Sequence, residues 1–225
     1  MRPAISLTFD DGLPCQIEHA LPILDSRGLK ATFFLIVNSP YDTEFRTEAW
    51  REAARHGHEI GSHSVNHRKA AELTPTEANS EVIQSQRLLE SWLEVPVTSF
   101  CYPFTDAPAH LQDPVRKTYQ QARGGRQARP NNLFVTKGDG FNPWNVPCFH
   151  VGPGTMNKNE LPAIINTAIE RKAWITLMFH GVGPDETQWD NISFEQFAGL
   201  CDTLVLAQKA GLWVAPFGTV AKEYR

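Results

Sequence analysis

A chain of 225 residues with 41% apolar and 20% charged side chains can bury a substantial core, and its length suits one large α/β domain as well as two small ones. The formal charge of −4 is spread along the sequence, so no basic run points to nucleic acid and no acidic tail to a disordered arm. The longest apolar stretches have only strand length, so no membrane-spanning helix is expected.

The N-terminus passes from Met1-Arg2-Pro3 directly into the apolar run Ala4–Phe9, without a basic region, a long apolar segment or a cleavage site. The expectation is a cytoplasmic protein, or a domain of a longer exported one. Short β-like runs follow at Ala31–Val37, His58–Ser62, Thr98–Tyr102, Cys148–Val151, Trp174–Phe179 and Leu212–Pro216. Most are apolar at successive positions, as strands covered on both faces are.

Helical patterns separate these runs. Thr74-Pro75-Thr76-Glu77 combines an N-cap threonine, proline at the first helical position and a glutamate three residues on. Val82, Leu88, Leu89, Trp92 and Leu93 then share a face, and Pro96 stops the pattern. Ser193-Phe194-Glu195-Gln196 opens a second helix, with a stripe of Phe197, Leu200, Cys201, Leu204 and Val205 and a stop at Gly211. Such βα alternation gives either a (β/α) barrel or an open doubly wound sheet. Gln121 to Asn145, with its GG, RPNN and GDGFNPW strings, reads as a long loop. Neither a linker nor an internal repeat divides the chain, so a single domain over 1–225 is expected. Cys15, Cys101, Cys148 and Cys201 are scattered without zinc-ribbon spacing and read mostly as free thiols, which favours a reducing compartment.

Three separate stretches carry the chemistry. Asp10 and Asp11 follow the first strand, where α/β folds collect their active sites, and Gly12 permits a tight turn. Adjacent carboxylates ionise together only beside a cation, although DDG is also a common solvated turn. His63 and His67, four apart in HSVNH, have spacing that lets two imidazoles converge on one ion, with Asp11 as an oxygen ligand. His180 ends the run Ile175–Phe179 and reads either as a proton-transfer group or as a histidine bonded at the sheet edge. His19, His56, His58 and His110 read as structural, as does His150 unless it faces the same cleft. A cation site, a base and an acid are what metal-assisted hydrolysis of an amide or ester requires.

TFDDG followed by HSVNH, with Ala31-Thr32-Phe33-Phe34, Phe100–Phe104, Leu177–His180 and Leu212-Trp213-Val214, resembles the polysaccharide deacetylases of carbohydrate esterase family 4, the NodB-homology domain, along nearly the whole chain. The resemblance implies an irregular, incomplete (β/α) barrel of seven or eight strands. It implies Asp10 as catalytic base, Asp11, His63 and His67 as ligands of a divalent metal (zinc, or else cobalt, nickel or manganese), and His180 as acid. The backbone N–H of Phe104 would help bind the oxyanion. Tyr102, Pro103, Trp144 and Leu177 would contact substrate, and Trp144, Trp189 or Tyr41 would either stack a sugar ring or pack ordinarily.

The implied activity is hydrolysis of acetyl groups from N-acetylated sugars of a chitin-like or peptidoglycan-like glycan. Rival readings are an O-acetyl esterase of acetylxylan type, a small cyclic-amide hydrolase, and a degenerate glycan-binding module. Two departures stand out. Cys101 occupies the place of an arginine that steadies the catalytic aspartate, so another group must orient Asp10. Trp144 lacks the adjacent aspartate that tunes the acid histidine, leaving Asp139 as a substitute.

Overall fold

The computed structural model describes residues 2–41, 46–126, 133–136, 141–153, 160–184 and 190–225. Its strands are β1 (Ala4–Phe9), β2 (Thr32–Leu35), β3 (Glu59–Ser62), β4 (Ser99–Cys101), β5 (Gln121–Arg126), β6 (Val146–His150), β7 (Trp174–Phe179), β8 (Gly181–Gly183), β9 (Asn191–Ser193) and β10 (Trp213–Val214). The helices are α1 (Leu21–Asp25), α2 (Thr47–Arg55), α3 (Pro75–Leu93), α4 (Ala109–Thr118), α5 (Glu160–Arg171), α6 (Phe194–Lys209) and α7 (Phe217–Tyr224).

Strands β1 to β7 run parallel in chain order, and six register pairs between β1 and β7, from Ala4↔Trp174 to Phe9↔Phe179, close them into a barrel. Strand β2 pairs only with Thr8 and Phe9 at the far end of β1. That leaves Ala4 and Ile5 room to pair with β10. Of the two architectures open to βα alternation, the chain adopts the (β/α) barrel, with seven closed strands.

Alternation along each strand divides the core in two. Ile5, Leu7, Phe9, Phe33, Leu35, Ile175, Leu177 and Phe179 join the cluster packed under the helices. Ala4, Phe34 and Trp174 join a second cluster with Phe217, Val220, Ala221 and Tyr224 of α7. The C-terminal helix thus caps the N-terminal end of the barrel. Glu59 reinforces that cap, bonding Ser99 Oγ, accepting from Thr32 Oγ1 at 2.7 Å and from the Gly218 amide at 2.8 Å. With that end filled, the chemistry is left to the opposite end.

The two expected capping boxes form, Thr74 with Glu77 and Ser193 with Gln196. Helix α3 ends at Leu93 through Glu94 in a left-handed turn, before Pro96 acts. The long loop expected from Gln121 to Asn145 is corrected at its start, where Gln121–Arg126 is a barrel strand paired to β4 and β6. No disulfide forms among the described residues. No described helix is long and apolar enough to cross a membrane.

Candidate active site

The ends of β1 and β7 set the floor of the site. The Asp10 amide donates to the Phe179 carbonyl at 3.0 Å, continuing the ladder one residue past β1. Asp11 then turns left-handed, at φ 75°, and Gly12 follows at φ 68°. A non-glycine residue enters that region at a cost that the surrounding contacts must offset. Gln16 laces the two strand ends, donating to the Asp10 carbonyl at 2.5 Å and to the His180 carbonyl at 2.9 Å.

The loop after β3 is held from helix α3. Ser64 is left-handed at φ 69°, and its hydroxyl accepts from the His67 amide at 3.0 Å. The buried Glu81 carboxylate accepts from the Val65 amide at 2.9 Å, the Asn66 amide at 2.8 Å and the Asn66 side chain at 2.6 Å. Glu81→Ala would strip these donors of their acceptor, each at a cost of about 1–3 kcal/mol if it stays dry. We expect the variant to lose about 3 kcal/mol in urea unfolding, and an unchanged midpoint would show that water replaces the carboxylate.

So positioned, His63 Nε2 and His67 Nε2 lie 3.5 and 3.7 Å from Asp11 Oδ1. Donors bound tetrahedrally to one ion at ~2.0–2.1 Å stand about 3.3 Å apart, so the spacing suits an ion among them. His63 Nδ1 contacts the Cys101 carbonyl at 2.9 Å. With its proton there, Nε2 keeps its lone pair for a metal. Burial pushes His63 down to about 3, so the ring is neutral as a ligand must be. Burial and the Asp10 charge push Asp11 up to about 7. Asp11 Oδ1 is buried without a hydrogen-bond partner among the described residues. An orphaned carboxylate oxygen flanked by two neutral imidazoles fits a divalent cation.

Asp10 stands beside this group, in contact with an arginine the sequence reading did not single out. Arg123, fully buried on β5, ion-pairs with Asp10 Oδ2 through Nη2. The same nitrogen lies 2.7 Å from Cys101 Sγ, and Nη1 donates to Thr8 Oγ1 at 3.1 Å. Burial raises the Asp10 carboxyl, but the Arg123 guanidinium outweighs it by charge and hydrogen bond and holds the group below its ordinary range. Asp10 Oδ1 has no hydrogen bond among the described residues. The group that orients Asp10, missing from the Cys101 position, thus comes one strand later. Its signal was an arginine beside Ala122, in a segment whose two glycines suggested a loop.

Across the barrel mouth, Asp190 lies against both His150 and His180. Its Oδ2 is 2.7 Å from His150 Nε2 and in direct contact with His180 Nδ1. These separations are tighter than ligands around one ion adopt; His150 Nε2 is hydrogen-bonded to the shared carboxylate oxygen, and His180 Nδ1 touches the same oxygen as an ion-pair contact. Burial lowers His180, but Asp190, Asp10 and Asp11 outweigh it and raise the imidazole above its usual value. Nothing in the sequence reading identified Asp190, which immediately precedes a three-residue strand. Asp139, the suggested partner of the acid histidine, lies outside the described residues, as does Trp189.

The chain matches the family model described as Polysaccharide deacetylase over residues 1–122. It belongs to the polysaccharide deacetylase family. The deacetylase fold is also that of a putative polysaccharide deacetylase from Mycobacterium smegmatis, with a TM-score of 0.69, 16% identity, and coverage of 100% of this chain and 91% of that one. Among curated relatives, the peptidoglycan-N-acetylglucosamine deacetylase of Bacillus cereus is 27% identical over 119 residues, covering 52% of each chain. A gellan lyase of a Bacillus species is 29% identical over 188 residues, which are 79% of this chain and 7% of that protein. The chain spans about half or less of the length of the curated relatives it matches.

Within this candidate site the structure brings together Asp10, Asp11, His63, His67 and His180 from three stretches of chain. Phe104 has a left-handed backbone (φ 56°, ψ 16°), and its half-exposed ring lies 4.6 Å from that of His67. Pro103 precedes it, buried. Tyr102 and Leu177 have no exposed surface, and the Tyr102 hydroxyl donates to the Trp144 carbonyl at 3.0 Å. Trp144 is half-buried, with its indole N–H donated to the Tyr119 carbonyl at 3.1 Å. Tyr41 is exposed. His58 and His110 hold structural bonds, to Asp25 and to the Ala70 carbonyl respectively. His150, by contrast, lies beside His180 and shares Asp190 with it.

Proposed function

We propose that this chain is a metal-dependent hydrolase that removes acetyl groups from N-acetylated sugars of a glycan, with Asp11, His63 and His67 holding a divalent cation, zinc by preference. The observation that carries the reading is the unpartnered Asp11 Oδ1 between two neutral imidazoles at ligand spacing. Two imidazoles and one carboxylate, with a position left for substrate and water, are a familiar zinc donor set. The curated relative from Bacillus cereus named as a peptidoglycan-N-acetylglucosamine deacetylase supports an N-acetylhexosamine substrate.

The cation, when bound, supplies Lewis acidity to the acyl oxygen and lowers the pKa of attacking water. Asp10 takes the proton of that water on Oδ1, the carboxylate oxygen that Arg123 leaves open. Arg123 keeps Oδ2 occupied and the carboxylate ionised. The Phe104 N–H donates to the oxygen that becomes negative in the tetrahedral intermediate. His180 gives its Nε2 proton to the departing amine nitrogen as the C–N bond breaks, releasing acetate and the deacetylated sugar. Asp190, on the other edge of the ring, takes the place of the aspartate expected beside Trp144.

Acetate release from chitooligosaccharides, acetylated xylan and small amides tests the substrate class, paired with elemental analysis of the protein. His63→Ala is expected to release the ion and to lose turnover to background, while removal of the metal by chelation reproduces that loss and zinc restores only the native chain. Retention of one equivalent of metal by His63→Ala would refute the ligand set. Turnover of acetylated xylan alone would transfer the reading to an O-acetyl esterase, and sugar binding without turnover in the metal-loaded protein to a glycan-binding module.

A further inference from the structure

His150 ends β6, His180 follows β7 and Asp190 precedes β9, so three separate elements deliver their side chains to one point on the barrel rim. The two rings do not stack. Their centroids are 5.8 Å apart at 72°, with Asp190 Oδ2 as the atom they share. Asp190 reaches it from a left-handed backbone at φ 55°, which a non-glycine residue adopts at a cost. The space is reserved as well: a Cβ at Gly152 would come within 2.3 Å of Asp190 Oδ1 and 2.9 Å of His150 Nε2. A strained residue and a glycine cradle are both committed to keeping this carboxylate between two imidazoles.

We propose that His150 is a positioning residue for leaving-group protonation, acting on His180 through Asp190; this rests on the reading of His180 as the acid. An ionised carboxylate oxygen has only acceptor capacity, so both nitrogens that meet it are donors. The His150 proton is therefore on Nε2, and the neutral His180 carries its proton on Nδ1. Nε2 of His180, on the opposite edge of the ring, is then the nitrogen that takes up a proton and later yields it to the amine. Asp190 fixes that tautomer, and His150 fixes Asp190. Without the second donor the carboxylate has one ring to hold it and can rotate about its own side chain, and the His180 ring turns with it. His150 exchanges no proton with substrate.

Leaving groups separate this role from simple packing. An alkyl amine cannot depart without a proton, whereas 4-nitrophenolate departs as the anion. His150→Phe fills the same space without a donor and is expected to lower kcat on an N-acetylated chito-oligosaccharide about tenfold with KM unchanged, the scale on which orienting partners act. Hydrolysis of 4-nitrophenyl acetate should stay within about twofold of the native rate, which also shows that the variant folds and keeps its metal. His150→Gln places an amide N–H near the position of Nε2 and is expected to recover most of the lost kcat. Independently of turnover, imidazole 15N shifts recorded at a pH above the raised His180 titration, where the ring is neutral, should show His180 as the single Nδ1–H tautomer in the native protein and as a mixture in His150→Phe.

Equal losses on both substrates would reduce His150 to a structural residue and overturn the proposal. So would full kcat in His150→Phe, failure of His150→Gln to recover, or an unchanged tautomer. His180→Ala serves as the reference for the underlying reading. If it retains amide turnover, the acid itself is misassigned; if it loses amide turnover alone while His150→Phe loses nothing, only the role of His150 fails.

Discussion

Asp10→Asn should lower acetate release by about 10²–10⁴-fold while the protein keeps its full complement of metal. The two carboxylates are neighbours in sequence and both lie near His63 Nε2, 3.9 Å from Asp10 Oδ2 and 3.5 Å from Asp11 Oδ1, but their tightest contacts differ. Asp11 Oδ1 faces the two histidines, whereas Asp10 Oδ2 is held by Arg123, with its Oδ1 left open toward the reaction. An asparagine has nearly the same shape and cannot accept the proton. The loss should therefore fall on kcat, with substrate affinity and zinc content maintained. Elemental analysis and acetate-release kinetics on one preparation decide the point. Unchanged turnover would remove Asp10 as the base, and a loss of metal would show that Asp10 rather than Asp11 completes the ligand set.

The difference between these two aspartates was only partly legible in the sequence. TFDDG announces paired acids after a strand, and HSVNH announces imidazoles at ligand spacing, because both are local patterns. Which carboxylate meets the two imidazoles depends on the left-handed turn at Asp11, which depends in turn on the β1–β7 closure. That closure also decides between barrel and open sheet, and no local periodicity encodes it. The strand β5 escaped recognition for a different reason. Its Gln-Ala-Arg-Gly-Gly-Arg sequence lacks the apolar run of its neighbours because an arginine occupies an inward position. Gly124 lies where a Cβ would meet Asn145 Oδ1 at 1.8 Å, so the Asn145 side chain occupies the space a larger residue would need. Both features imitate a loop. Asp190 was missed because its role exists only once β6, β7 and β9 converge, and the three-residue β8 and β9 are too short to show a period. Rules of alternation and capping find elements that bury apolar faces, and they pass over strands and turns whose composition has been given to chemistry.

Arg123→Met carries the other large expected effect, and it falls on stability and catalysis together. The guanidinium and the Asp10 carboxylate are both buried, so each is the main compensation for the other's desolvation. Removing one partner of such a pair typically costs about 3–5 kcal/mol, since the survivor stays in a poorly polar site. Here the survivor is the acid, already desolvated and adjacent to Asp11, so its carboxyl would move upward and its fitness as a base would fall. We expect Arg123→Met to lower the urea midpoint sharply and to reduce kcat more than it alters KM. Arg123→Lys should recover part of the stability but little of the rate, since one ammonium cannot serve Asp10, Thr8 and Cys101 in a single plane as the fork does. The decisive comparison is the double variant Asp10→Asn/Arg123→Met. If the stability loss arises from an uncompensated charge, the double variant should be more stable than Arg123→Met alone, with a coupling on the order of 1–3 kcal/mol. Strict additivity would mean that Arg123 serves mainly to fill the barrel over Phe34, whose ring lies 5.4 Å from its guanidinium. The residue that answers the cysteine at position 101 would then be a packing element and not the group that keeps Asp10 charged.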